Sequence, residues 1–309
     1  MHTPWGEIPI SDAHVHFFSY GFFSALATQK KATVADLQPL LNWQMPTEDP
    51  FELADQWVAE LDRHGVSRAV LIASVPGDES SVSAALIRHP DRFRGYFMAN
   101  PTQASPDMPV AAGLSTGGLH GICLFPAMHR YSVHDNRVLP LYEVVAAHPG
   151  SVVFVHCGAL TVGVRKKLGL PSLFDMSYSN PLDLHAVAMQ FPQLNFIVPH
   201  FGAGMFREAL MLCDLCPNVY LDTSSSNGWM KYEGLNLKTV FQRALQVCGA
   251  GRLLFGTDSS FFPRGWNAAV FQAQTAALTE LGVSNEDAAK IFGGNLERLL
   301  ARPRENPKT

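Results

Sequence analysis

The amino-acid sequence predicts an α/β chain closed into one (β/α)8 TIM barrel, with an extended loop inserted after the first strand. Three observations carry that expectation. Eight short β-branched or aromatic runs recur along the chain, most of them continuously apolar, as expected for parallel strands covered on both faces. Amphipathic stretches with helix punctuation lie between them, which is the alternation that builds such a barrel. The length, 309 residues, suits one barrel plus a modest insertion better than two domains. No repeat, low-complexity tract or Pro/Ser-rich linker marks a boundary, so residues 1–309 read as a single domain.

The strands are expected at Ile8 to Phe17, Arg68 to Val75, Phe93 to Ala99, Gly121 to Phe125, Val152 to Cys157, Asn195 to His200, Asn218 to Thr223 and Leu253 to Asp258. Asp49-Pro50-Phe51-Glu52 places an N-cap, a proline at the first helical position and an early glutamate, and the helical pattern runs to a stop at Gly65. Asn180-Pro181-Leu182-Asp183 repeats that start before Leu184 to Phe191, and Asp78 to Pro90 reads as an ordinary helix. Residues 18–48 carry no comparable signal. That much irregular chain in a compact domain predicts a lid or binding loop.

Composition limits the function classes. With 47% apolar and 16% charged residues, the chain can bury a core and lies far from the disordered corner. A net charge of −4, with no basic run longer than Arg165-Lys166-Lys167, argues against nucleic acid as a partner. Five cysteines are neither a disulfide framework nor a zinc-ribbon count, and a reducing cytoplasm suits them. Cys213-Asp214-Leu215-Cys216 has CxxC spacing without a second pair, and reads as buried helix cysteines. No signal peptide or membrane span is expected, the partner expected is a small molecule, and a homodimer is compatible with the sequence.

Twelve histidines would mean little without their positions. Asp12-Ala13-His14-Val15-His16 puts two imidazoles at i and i+2 of the first strand, on one face, with Cα atoms roughly 6.5 Å apart. That spacing lets two ring nitrogens meet on one metal ion. His156 ends the fifth strand, His200 the sixth and Asp258 the eighth. In a (β/α)8 barrel the C-terminal strand ends converge on one mouth, where catalytic groups gather. Asp12 is expected deeper on the same face as a buried structural partner, and Asp222, ending strand seven, as a supporting residue.

Together with Gly293-Gly294-Asn295-Leu296-Glu297-Arg298-Leu299, these motifs resemble the amidohydrolase superfamily, in its amidohydrolase-2 (amidohydrolase-related) branch, over essentially the whole chain. That branch includes aminocarboxymuconate semialdehyde decarboxylase, resorcylate-type decarboxylases, and lactone and amide hydrolases. The resemblance implies that His14, His16, His156 and Asp258 bind one divalent metal, with His200 beside the activated water or substrate oxygen. Binuclear members carry a bridging carboxylated lysine at the end of strand four; Gly121-Ile122-Cys123-Leu124-Phe125-Pro126 holds none, so one ion is expected. Imidazole with one carboxylate favours Zn2+, with Mn2+ and Fe2+ compatible by ligand type.

The resemblance implies a metal-dependent hydrolase acting on a small, cyclic or carboxylated organic substrate, in which Asp258 moves the proton and His200 orients water or steadies the oxyanion. The alternative is a non-oxidative decarboxylase of an aromatic or unsaturated acid, because the same ligand set serves both reactions. Arg130, Arg165 and Arg264 are candidates to clamp a substrate carboxylate, Arg264 foremost because it follows Asp258 closely. Trp266 and Phe18 are expected as further substrate contacts, within an aromatic lining that also draws on Phe17, Trp43, Trp229 and Phe261.

Overall fold

In a computed structural model, described for residues 1–224 and 227–301, eight parallel strands follow one another around a single sheet in chain order. They are β1 (Ser11–Phe17), β2 (Arg68–Ala73), β3 (Phe93–Met98), β4 (Gly121–Leu124), β5 (Val152–Val155), β6 (Asn195–Val198), β7 (Val219–Asp222) and β8 (Leu253–Leu254). The predicted final strand, Leu253 to Asp258, is regular only over its first two residues. Beyond them the chain still pairs with β1. Ala13 N–H donates to Phe255 O at 2.8 Å, Asp258 N–H to His14 O at 3.0 Å and His16 N–H to Ser259 O at 2.7 Å, and these bonds close the ring.

The near-continuous apolar character of the strands has its expected consequence: both faces are covered. Ala13, Val70, Ile72, Tyr96, Cys123, Phe154, Ile197 and Leu254 pack with one another inside the barrel. Leu296, Leu299 and Leu300 join that cluster from the chain's end, where the Gly293-Gly294-Asn295 turn brings them. Val15, Phe17, Leu71, Phe97, Val153 and Phe196 face outward, against the helices.

The first two helices, α1 (Tyr20–Lys30) and α2 (Val34–Leu41), lie between β1 and the first barrel helix, α3 (Pro50–His64). The rest of the barrel layer is α4 (Glu79–Arg88), α5 (Asp107–Ser115), α6 (Leu139–Ala146), α7 (His185–Gln190), α8 (Phe206–Leu215), α9 (Leu237–Cys248) and α10 (Ala268–Glu280). The α3 signals act as read: Asp49 accepts from Phe51 N–H, and Gly65 ends the helix in the left-handed region. Asn180 caps a 3-10 turn, Pro181–Leu184, that leads into α7.

Residues 18–48 correct the expected extended loop, because most of them are helical. Ser19 caps α1, and Thr33 with Asp36 forms a capping box at α2. Both helices end on left-handed residues that are not glycine, Lys31 and Asn42. They share a separate core with the chain after β5: Phe22, Phe23, Leu26, Leu37, Leu41 and Trp43 pack against Val164 and Leu168. Polar contacts fasten the same junction, from Lys30 Nζ to Leu168 O at 2.8 Å and from Arg165 Nη1 to Gln29 Oε1 at 2.6 Å.

A second correction concerns Asp12. The β1–β2 register shifts between Asp12 and Val15, so simple alternation fails there. Ala13 packs in the barrel interior, whereas Asp12 receives Trp266 Nε1–H at 2.8 Å, the Thr257 hydroxyl and His14 N–H at 2.9 Å. Asp12 is a buried structural partner but not a deeper neighbour on the histidine face. All five cysteines are buried and free, including Cys213 and Cys216. Among the described residues no helix is long and apolar enough to cross a membrane.

Candidate metal centre

Strand ends deliver the expected groups to one mouth. His14 and His16 project from β1, their Nε2 atoms 3.3 Å apart. Asp258 Oδ1 lies 3.3 Å from His16 Nε2 and 3.8 Å from His14 Nε2. Ligand bonds of about 2.1 Å at tetrahedral angles put neighbouring donors roughly 3.4 Å apart, so these three atoms already have the spacing of three ligands on one ion.

The opposite edges of the two rings explain why the three atoms need a cation. His14 Nδ1 lies 2.6 Å from Asp222 Oδ2, and a carboxylate can only accept, so the ring proton sits on Nδ1. His16 Nδ1 lies 2.7 Å from Ser74 Oγ, whose own proton goes to Ile72 O at 3.0 Å. Ser74 therefore accepts from His16 Nδ1–H. Both Nε2 atoms are left as lone pairs facing each other and the Asp258 carboxylate. Three converging acceptors repel unless a positive charge lies between them, so the donor set fits a divalent ion.

Electrostatics follow from this crowding. Burial would push the Asp258 carboxyl up, but the neighbouring imidazoles, His16 first and then His14 and His200, hold it at about 2. Burial opposes protonation of His14, yet the Asp222 carboxylate outweighs it and raises the ring above its ordinary value. Burial lowers His16 and His200, and it lowers His156 most, where His200 and His14 add repulsion.

His200 and His156 flank the group. The His200 ring centroid is 5.1 Å from that of His14 and 5.3 Å from that of His156. Ser224 Oγ bridges His200 Nδ1 at 2.9 Å and His14 Nδ1 at 3.0 Å, and its N–H donates to Asp222 Oδ1 at 2.6 Å. His156 lies outside the tight three-atom group, and its buried Nδ1 has no hydrogen-bond partner among the described residues. The chain has to kink to bring these strand ends together. His200 and Asp258 both have positive φ, 55° and 57°. Gly158, at φ 73°, lies so close to Gly202 that a Cβ there would stand 2.0 Å from its carbonyl oxygen.

The family model described as Amidohydrolase matches residues 11–302. The chain belongs to the amidohydrolase family. A local match reaches Protein fluG of Emericella nidulans, 32% identical over 85 residues, which is 28% of this chain and about a tenth of that relative's length. The 5-carboxyvanillate decarboxylase of Sphingomonas paucimobilis shares the fold with a TM-score of 0.68 at 13% identity, over 96% of this chain and 100% of its own. The 5-carboxyvanillate decarboxylase of Novosphingobium aromaticivorans, complexed with manganese and a nitrobenzoic acid, follows at 0.63 and 16%, over 96% and 97%. A Pseudomonas putida protein assigned as a 2-pyrone-4,6-dicarboxylic acid hydrolase gives 0.61 and 19%, over 95% and 98%.

The structure distributes the expected substrate contacts of this amidohydrolase unevenly. Arg264 stands beside the metal group: its Nη2 donates to Asp258 O at 3.0 Å and Ser260 Oγ at 2.9 Å. Phe18 is half-buried, its ring 5.6 Å from that of His16 and stacked on Phe22 at 4.0 Å. Trp266 is the exception and corrects the expectation. It is 2% exposed, its indole N–H is committed to Asp12 and its backbone N–H to Glu60 Oε1 at 2.9 Å, so it braces the outer layer instead of lining the mouth. Arg165 and Arg130 bond to Gln29 and to Leu173 O, away from the metal group.

Sequence reasoning missed Ser74 and Ser224. For Ser74 a signal existed, a hydroxyl at the end of an apolar strand whose barrel neighbour carries histidines. Ser224 gave none of its own, since its role depends on two histidines distant in sequence.

Proposed function

We propose that this amidohydrolase is a metal-dependent hydrolase of a small cyclic substrate that carries a carboxylate. The observation that supports it most is the convergence of His14 Nε2, His16 Nε2 and Asp258 Oδ1 within 3.3–3.8 Å, with Arg264 on the rim. These three residues, with His156 as the fourth, would hold one divalent ion, zinc by ligand type. Such an ion supplies Lewis-acid polarisation of a substrate carbonyl and brings the pKa of bound water from about 15.7 to about 7.

The chain's own groups supply the rest. Asp258, 31% exposed at its side chain and held ionised, takes a proton from the attacking water and passes it to the leaving group. His200 gives its Nδ1–H to Ser224, which leaves Nε2 to orient water or a substrate hydroxyl. Arg264 keeps Nη1 uncommitted among the described residues, a charged donor suited to a carboxylate oxygen. Phe18 offers an apolar wall for a flat ring.

Decarboxylation is the second reading, supported by 5-carboxyvanillate decarboxylases on the same fold. In that reaction Asp258 would deliver a proton to the carbon that loses CO2. The test is the zinc- or manganese-loaded protein on a panel of lactones, including 2-pyrone dicarboxylates, and aromatic acids, with CO2 and ring-opened acid measured together. Ring opening without CO2 supports the hydrolase; CO2 alone overturns it in favour of the decarboxylase.

A further inference from the structure

The α1–α2 segment touches the metal mouth through a column of four side chains. Arg264 lies with its guanidinium 4.6 Å from the centroid of Phe261. Phe261 stacks on Trp43 at 3.9 Å and 11°. Lys167 Nζ lies over the Trp43 ring, 5.6 Å from its centroid. The order is cation, ring, ring, cation: at each end a ring's negative face attracts positive charge, and the middle contact is an aromatic stack.

The column joins three loops. Arg264 and Phe261 follow β8, Trp43 follows α2, and Lys167 belongs to the short helix Gly163–Lys167 after β5. A backbone bond from Gln44 N–H to Phe262 O, 2.9 Å, fixes the Trp43 end to the β8 loop. Phe18 adds a second link, 6.3 Å from Trp43 and 5.6 Å from His16. Arg264 itself is otherwise exposed and, among the described residues, is hydrogen-bonded through one of its nitrogens, Nη2. A long, exposed arginine held at one nitrogen would sample many rotamers unless its plane is also supported.

We propose that Trp43 is a positioning residue for Arg264: through the Phe261 ring it fixes the guanidinium over the metal mouth, so that the α1–α2 segment sets the site's preference for carboxylated ligands. The proposal deepens the reading of Arg264 as a carboxylate clamp and rests on it. It assigns the segment a direct part in specificity, one that a merely covering lid would not have.

Two measurements on the zinc-loaded protein separate the parts. Phenylglyoxal modification of Arg264, followed by peptide mass spectrometry, reads how well the guanidinium is held. Trp43→Leu is expected to speed it roughly fivefold, the size of losing one partly exposed cation–π column, while Trp43→Phe keeps the stack and stays near wild type. Phe261→Leu breaks the same column from the other side and is expected to match Trp43→Leu, which keeps the test open if one variant folds poorly. Unchanged rates in the leucine variants overturn the proposal. The second measurement compares benzoate with benzamide binding by calorimetry. Arg264→Gln is expected to abolish a preference for benzoate and Trp43→Leu to weaken it several-fold, with zinc affinity unchanged in both. If Arg264→Gln keeps the wild-type preference, or the wild type has none, the carboxylate reading of Arg264 fails, whatever the phenylglyoxal rates show about Trp43.

Discussion

His14 and His16 carry out one task with unequal support. Asp222 holds the His14 proton through a carboxylate, Ser74 holds that of His16 through a hydroxyl. Losing such an outer partner typically costs metal affinity ten- to a hundredfold. Asp222→Asn and Ser74→Ala are each expected to weaken zinc by roughly 10- to 100-fold in competition with a chelating dye, and Ser74→Thr, which keeps the hydroxyl, to remain near wild type. Affinities unchanged in both disruptive variants would show that the rings are held by something else. Gly158 makes a structural prediction at the same scale. Alanine there meets the Gly202 carbonyl in a left-handed backbone, and an expected loss of about 2–4 kcal/mol would be read by urea unfolding. At this scale HxH alternation and strand-end positions, which are local properties, pointed to the gathering of His14, His16 and Asp258, but they set Trp266 at the mouth, where it does not lie. The sequence could not show Ser224, whose role comes from strands that meet only after folding, and it marked Ser74 only as a hydroxyl ending the strand beside the HxH pair.

Among the elements, α1 and α2 were the least legible. Their stop signals are Lys31 and Asn42 instead of glycine, and Phe22, Phe23 and Leu26 bury against Val164 and Leu168, more than a hundred residues away in sequence. By contrast α3, with Asp49, Pro50 and Gly65, announced both its ends. The α2 capping box is testable, since Thr33→Ala removes an exposed cap and is expected to cost about 1 kcal/mol in the same unfolding assay. At the start of α1, Ser19 Oγ donates to Asp78 Oδ2 at 2.6 Å. Burial, reinforced by nearby Glu79 and partly offset by bonds from Ser19 and Ser81, pushes the Asp78 carboxyl up from 3.8 to about 6. A carboxyl raised in the folded state binds its proton more tightly there than in the unfolded chain. Its contribution to stability is therefore greatest below about pH 4 and falls as pH rises to about 6, by up to about 3 kcal/mol. Asp78→Asn is expected to flatten that part of the Tm-against-pH curve; an unaltered slope would exclude Asp78 as its source.

For the whole molecule, the barrel was legible because eight apolar runs separated by helical patterns leave few other topologies; the eight strands follow in order, and backbone bonds beyond the last one join it to the first. What the count did not reveal was the register shift in β1, which sends Asp12 to Trp266 and so takes Trp266 out of the mouth. A metal bound there would be a global stabiliser, since it would join groups from β1 and from the chain beyond β8. Zinc at a hundred times its dissociation constant is expected to add about 2.7 kcal/mol, read as a rise in Tm that a chelator reverses. The central claim is that His14, His16 and Asp258 gather around one ion. Elemental analysis of protein purified without chelators tests it most directly, alongside His16→Ala and Asp258→Ala. One divalent ion per chain is expected in the wild type and almost none in either variant; a metal-free wild type, two ions per chain, or variants that retain full occupancy would rule out this site.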